Sequence, residues 1–206
     1  TYQNWELIFW DNQSKDQSAE IFKSYDDPRL KYFLAYEHTD LGGGRAKAFQ
    51  HLKGEFIAVL DTDDLWKPKK LEEQLRYFED INVGICITNT EFFSQKHSKV
   101  IYRKSPPVGC VTDELLKNYF VSLETVMLRS SSISCLEYAF DPEFSHIADF
   151  DLIVRTSTKF KLAYASQVLA KWRVHEASET WSNKKMFILE KKRWFLKNRN
   201  NSLFAP

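Results

Sequence analysis

Phe56-Ile57-Ala58-Val59-Leu60 runs straight into Asp61-Thr62-Asp63-Asp64. The apolar run is of strand length, and its lack of alternation predicts a strand buried on both faces. Carboxylates at the C-terminal end of such a strand lie where open α/β sheets place their ligands. In an extended chain Asp61 and Asp63 project to one side, and Asp64 turns away. Two carboxylates on one face repel unless a cation lies beside them. Hard oxygen ligands on a loop suit Mn²⁺ or Mg²⁺, with the phosphates of a nucleotide diphosphate completing the shell. Turn formation and helix capping ahead of Pro68 are the plainer roles open to the same residues.

Outward from this stretch, strand and helix alternate. Upstream, residues 7–10 read as a buried strand, 11–16 as a polar turn, 18–25 as a helix and 30–34 as a strand. A glycine cluster, Gly42-Gly43-Gly44, then precedes a helical stretch over 45–52 that Gly54 ends. Glycine there forms either a flexible loop or a place where backbone comes close to a phosphate or sugar. Downstream, Pro68 opens a helix whose Leu71, Leu75 and Phe78 recur at helical spacing, and 83–88 reads as a strand. Beyond it the pattern predicts strands over 100–103, 125–128, 162–165 and 168–174, and helices over 113–119, 150–158 and 184–197. No repeat and no linker interrupts the chain, so residues 1–206 are expected to form a single α/β domain with a mostly parallel mixed sheet flanked by helices.

Composition narrows the partners. Lys and Arg number 29 against 28 Asp and Glu, so no overall field selects nucleic acid, and an anionic ligand needs a local site. The three cysteines, Cys86, Cys110 and Cys135, form neither a disulfide framework nor a metal motif, which favours a reducing, cytoplasmic setting. No apolar run approaches the roughly 20 residues that span a bilayer.

Four stretches together resemble glycosyltransferase family 2, inverting nucleotide-sugar enzymes of the GT-A fold. Residues 2–8 with Asp11-Asn12-Gln13-Ser14-Lys15-Asp16 look like that family's second strand and its DDxSxD turn. Residues 54–68, Gly54-Glu55 through Trp66-Lys67-Pro68, follow its central signature, Ala148-Asp149-Phe150-Asp151-Leu152 is similar to its EDxDL segment, and Trp172-Arg173-Val174-His175 to its YRxH segment. The family ordinarily opens with a further strand, turn and helix ahead of the segment matched at Tyr2, so the catalytic domain is expected to be N-terminally incomplete here, and possession of a closed donor pocket depends on that part. Asn12 stands where the family usually has Asp, and Ala148 where it usually has Glu.

The resemblance implies roles position by position. Asp11 would lie against the nucleotide base, with Gly43 and Arg45 of the glycine-containing loop and Asp61 also on the donor. Asp63 and Asp64 would hold the metal with His175. Asp149 would be the catalytic base, taking a proton from the acceptor hydroxyl; at the start of a helix, the dipole favours its ionised form. Helix capping is the alternative for Asp149, and Asp151 is expected to pair with Arg155 one helical turn on. The implied function is metal-dependent transfer of a sugar from a UDP- or dTDP-linked donor to a glycan or lipid-linked acceptor, in cell-envelope polysaccharide synthesis, in the cytoplasm or at the inner face of the plasma membrane.

Residues 184–199 carry seven basic residues against Glu190, interleaved with Met186, Phe187, Ile188, Leu189, Trp194, Phe195 and Leu196. Peripheral membrane contact, and packing on the domain or on sequence outside residues 1–206, are both open to such a helix, because Lys191 and Lys192 fall within its apolar arc. Two other functions fit parts of the sequence. A phosphatase of the haloacid dehalogenase type would use Asp61 as nucleophile and Asp63 as acid/base, although Leu65 departs from its motif. A degenerate glycosyltransferase-like domain would bind without turnover.

Overall fold

The computed structural model describes residues 1–175, 183–201 and 204. The first part of the chain alternates as expected: β1 (Leu7–Asp11), α1 (Ser18–Lys23), β2 (Leu30–Leu34), α2 (Leu41–Phe49), β3 (Phe56–Ala58), β4 (Leu65–Trp66) and α3 (Lys70–Leu75). There follow β5 (Val83–Phe93), β6 (Ser98–Val100), α4 (Thr112–Lys117), β7 (Met127–Arg129), α5 (Ser130–Ser134), α6 (Ala148–Ser157), β8 (Lys161–Arg173) and the terminal helix, here α7 (Lys184–Asn198).

β1 and β2 form a parallel pair, and a larger sheet runs β3-β7-β5-β8-β4 with β6 added to β5. The two long ladders, β1/β2 and β5/β8, are parallel, and the four short ones are antiparallel. Long parallel strands need helical crossovers, which is why the sheet is a layered α/β structure.

β5 holds the centre because its residues are apolar on both faces. Ile85 and Ile87 sit in the cluster with Leu152, Ile153 and Val154 of α6 and Trp194 of α7. Cys86 projects to the opposite face, against Phe78, Met127, Leu71 and Leu75. α7 is fastened by its polar groups as well. The indole Nε1 of Trp194 donates to Asp151 at 2.8 Å, and Asp151 also binds Arg155, the i,i+4 pair expected from the sequence.

Several elements depart from the sequence pattern: β4 and α5 fall where none was expected, β5 runs on to Phe93, β6 lies at 98–100 instead of 100–103, and three further departures have a visible cause. The glycine cluster is not a loop but the first turn of α2, because Asp40 caps the helix by accepting from Gly43 N at 2.7 Å. A Cβ on Gly42 would lie 2.3 Å from the carbonyl oxygen of Phe144, so glycine permits this close packing. β3 is shorter than its apolar run, and only Ile57 is buried. It pairs with β7 on one edge, and its remaining residues face a cleft. Finally, 162–165 and 168–174 belong to one strand, β8, in which exposed Ser166-Gln167 interrupts the apolar pattern at a register shift opposite Thr88 and Asn89.

Candidate active site

The cleft between β1 and β3 has a volume of about 2250 Å³, against roughly 300–1,000 Å³ for ordinary small-molecule sites. Asn12, Gly44, Arg45, Asp61, Asp63, Asp64, Tyr119, Glu124, Asp149 and His175 all line it. Residues distant in sequence thus converge on the sheet edge that the acidic loop follows.

The loop after β3 is a turn, closed by the Asp64 N–H on the Asp61 carbonyl at 3.1 Å. Its carboxylates therefore do not alternate as in an extended chain, and each meets a different partner. Both oxygens of Asp61 accept from Arg45 of α2, at 2.8 and 3.0 Å. Asp63 Oδ2 lies 2.8 Å from His175 Nε2, and its carbonyl accepts from the Arg173 side chain at 2.9 Å. Asp64 turns inward, where it is buried and accepts from the backbone N–H of Arg173 at 2.9 Å. Burial pushes its carboxyl up to about 7, with Glu124, Asp63 and Asp61 adding to the rise against that one backbone donor.

Asp149 occupies the first turn of α6, not its cap. The capping role falls to Glu190 of α7, whose carboxylate accepts from the backbone N–H groups of His146 and Ile147 at 2.8 and 3.2 Å. Asp149 Oδ2 instead accepts from the Tyr119 hydroxyl at 3.0 Å. Burial raises the Asp149 carboxyl above the ordinary carboxylate range, while the charge of Arg45 and the Tyr119 hydrogen bond oppose the rise. Burial thus outweighs the helix start, which the sequence analysis expected to favour the ionised form.

Two of the residues singled out in the sequence stand off the cleft. Asp11 spends its carboxylate on its own loop, accepting from Ser14 N at 2.7 Å and from the Tyr32 hydroxyl. Burial opposes its ionisation, but these two donors outweigh it and hold the group below the usual range. Its neighbour Asn12 lines the cleft and bonds both the N–H and the carbonyl of Thr39. Gly43 donates to the Asp40 cap, and Gly44 lines the cleft in its place. Tyr119 and Glu124 escaped the sequence reading. Glu124 is a buried carboxylate held by Thr90 and Ser122, and no local pattern marks either residue.

Among the described residues no three carboxylate, imidazole or thiol groups converge to cage a metal ion. Mg²⁺ is commonly held by one or two carboxylates with substrate phosphates and water, rather than by an all-protein cage. Asp63 supplies one such carboxylate, with the His175 imidazole, a nitrogen donor outside that set, beside it, whereas Asp64 Oδ1 is already committed to Arg173.

A family model, Glycosyl transferase family 2, matches residues 1–128. Escherichia coli WfgD, a UDP-Glc:alpha-D-GlcNAc-diphosphoundecaprenol beta-1,3-glucosyltransferase, is 29% identical over 68% of this chain and 54% of its own. WfaP, an E. coli protein of the same named activity, is 26% identical over 68% of this chain and 55% of its own. The chain spans about half the length of these relatives. S. aureus TarS 1-349 in complex with UDP-GlcNAc shares the fold, with a TM-score of 0.65 at 16% identity, over 86% of this chain and 52% of that one. These matches displace the haloacid dehalogenase alternative, as does Asp61, whose two oxygens are both bound to Arg45. With the family signature spanning β1 through the acidic loop to β7, and the fold shared with TarS, the chain belongs to glycosyl transferase family 2.

Proposed function

We propose that this chain is the donor-binding and catalytic part of an inverting glycosyltransferase. It would move a sugar from a UDP- or dTDP-linked donor to a glycan or lipid-linked acceptor in cell-envelope polysaccharide synthesis. The observation that carries the reading is the convergence of Arg45–Asp61, Asp63–His175 and Asp149 on one cleft. The acceptor is named by analogy with WfgD, whose own acceptor is diphosphoundecaprenol-linked. A cytoplasmic site of action, at the inner membrane face, follows from such an acceptor.

In this mechanism Asp149 takes the acceptor proton as the hydroxyl oxygen bonds to the anomeric carbon, and the bond from that carbon to the diphosphate oxygen breaks. One displacement inverts the configuration, and the departing electron pair stays on the diphosphate. Arg45 lies where it can bind donor oxygens while orienting Asp61. Asp63 and His175 would hold Mn²⁺ or Mg²⁺, which supplies charge stabilisation to the leaving diphosphate. The turn and its Arg173 anchors fix these groups before substrate arrives, so little reorganisation is left for the reaction itself.

The test is calorimetric titration of UDP and dTDP, with and without Mn²⁺, into the full-length protein and its Asp63→Ala variant. Binding strengthened by Mn²⁺ in the wild type and lost in the variant is expected. Absence of nucleotide binding under every condition overturns the reading and leaves a domain that has the fold without the activity.

A further inference from the structure

α7 has two faces of different character. Phe187, Glu190 and Trp194 turn inward to the domain. Lys191, which obscured the apolar arc in the sequence, also turns in, with its ammonium 5.4 Å from the centre of the Phe150 ring. On the other side Ile188, Leu189, Phe195 and Leu196 are 69, 45, 46 and 57% exposed. At 100° per residue they interleave with Lys185, Lys192, Arg193 and Arg199, all exposed. Glu190, the sole acidic residue of 184–199, is withdrawn from this face to α6, so nothing in the helix neutralises the outer cations.

Large apolar side chains among unneutralised cations suit a surface that is apolar beneath and anionic above. A bilayer interface takes the apolar groups among acyl chains and leaves the cations at phosphate level, where the lipid supplies their counter-charge. No described helix is long and apolar enough to cross a membrane, so contact through α7 would be interfacial. The inner face of the same helix gives the contact a purpose: Phe187 and Lys191 line the cleft that Asp149 also lines. The cleft and the outer face are therefore separated by one helix, roughly 10 Å across.

We propose that the outer face of α7 docks this domain on an anionic lipid bilayer, bringing the cleft within one helix diameter of the headgroups. The proposal deepens the glycosyl-transfer reading, on which its purpose rests, by giving a lipid-linked acceptor a direct approach to Asp149. Its test does not depend on turnover. Full-length protein is sedimented with vesicles of phosphatidylglycerol and phosphatidylcholine, and with phosphatidylcholine alone, and compared with the double variants Lys192→Glu/Arg193→Glu and Ile188→Ser/Leu196→Ser. All four positions are exposed, and unchanged circular dichroism and UDP affinity verify that the variants fold.

Binding to the anionic vesicles that falls with added salt, and is weakened about tenfold or more in each double variant, is expected. No vesicle binding, or binding equal in wild type and variants, overturns the proposal. Self-association abolished by the variants, without vesicle binding, also overturns it and assigns the face to a second copy. Vesicle binding with the expected variant pattern but no nucleotide binding would sink the transfer reading alone.

Discussion

The Asp149–Tyr119 contact bears directly on the base proposed for this site. Burial raises the carboxyl, and the Tyr119 hydroxyl is one of the groups that restrain it. The charge that lowers it comes from Arg45 of α2, and the backbone N–H of Phe150 at the start of α6 acts in the same direction. A general base works ionised, so activity falls as pH drops below its pKa. Tyr119→Phe removes a donor to the charged form, raises that pKa further, and should move the acid limb of the kcat/KM profile to higher pH. An unmoved limb would make Tyr119 mere packing against Phe150, whose ring it meets edge-on at 5.2 Å. Asp149→Asn should lose about 10²–10⁴ in rate with donor affinity kept. Why Tyr119 was invisible in the sequence is physical: it lies 30 residues from Asp149, after a short helix, and no periodicity connects them. Asp63 and His175, 112 residues apart, met only through the family resemblance, because a lone histidine carries no spacing signal.

At the scale of elements, the legible parts are those whose pattern is local. β1, β2, α4, α6 and α7 lie within two residues of their periodic runs, since burial on one face or two imposes the period directly. The illegible parts depend on neighbours. α2 can start at its Asp40 cap only because Gly42 fits under the Phe144 carbonyl, and β8 is continuous because β5 pairs with it across a bulge. The start of α6 is the most consequential case, since it carries Asp149 yet is capped from another helix. Glu190 supplies that cap from α7, so the terminal helix helps to place Asp149, the proposed base. Glu190→Ala leaves the His146 and Ile147 N–H groups without this acceptor and should cost about 1–3 kcal/mol in denaturant unfolding. It should also lower kcat more than it raises KM, because Asp149 shifts while the donor contacts at Arg45 and Asp63 remain. Glu190→Gln, which keeps an acceptor oxygen, should recover part of both. Equal losses in the two variants would contradict the capping role.

Across the whole molecule, near-neutral net charge conceals separated fields: carboxylates gather at the cleft, cations on the outer face of α7, and among the described residues Lys70, Arg129 and Arg155 lie in the interior. Lys70 is fully buried, with its ammonium 2.7 Å from Gln74 Oε1 and 4.2 Å from the centre of the Trp66 ring. Gln74 in turn donates to the carbonyls of Cys86 and Thr125, so the three polar groups tie α3 to β5 and to the segment before β7. Burial pushes the Lys70 ammonium down to about 7, against the opposing influence of Cys86 and Glu124. In the unfolded chain a lysine titrates near ~10.4. Between these values the unfolded state binds more protons than the folded one, so this group makes stability rise with pH from about 7 upward, and below that range both states are protonated. Lys70→Met removes the linkage, and Cys86, whose thiol burial pushes up to about 12 although Lys70 lowers it, stays protonated in the fold at pH 7 and pH 8 in both proteins. Denaturant unfolding of wild type and variant at pH 7 and pH 8 should therefore show the wild type gaining about 1 kcal/mol relative to Lys70→Met. A parallel pair of stabilities would mean that Lys70 keeps its charge in the core, held by Gln74, the Trp66 ring and Glu124 at a cost the fold bears at every pH.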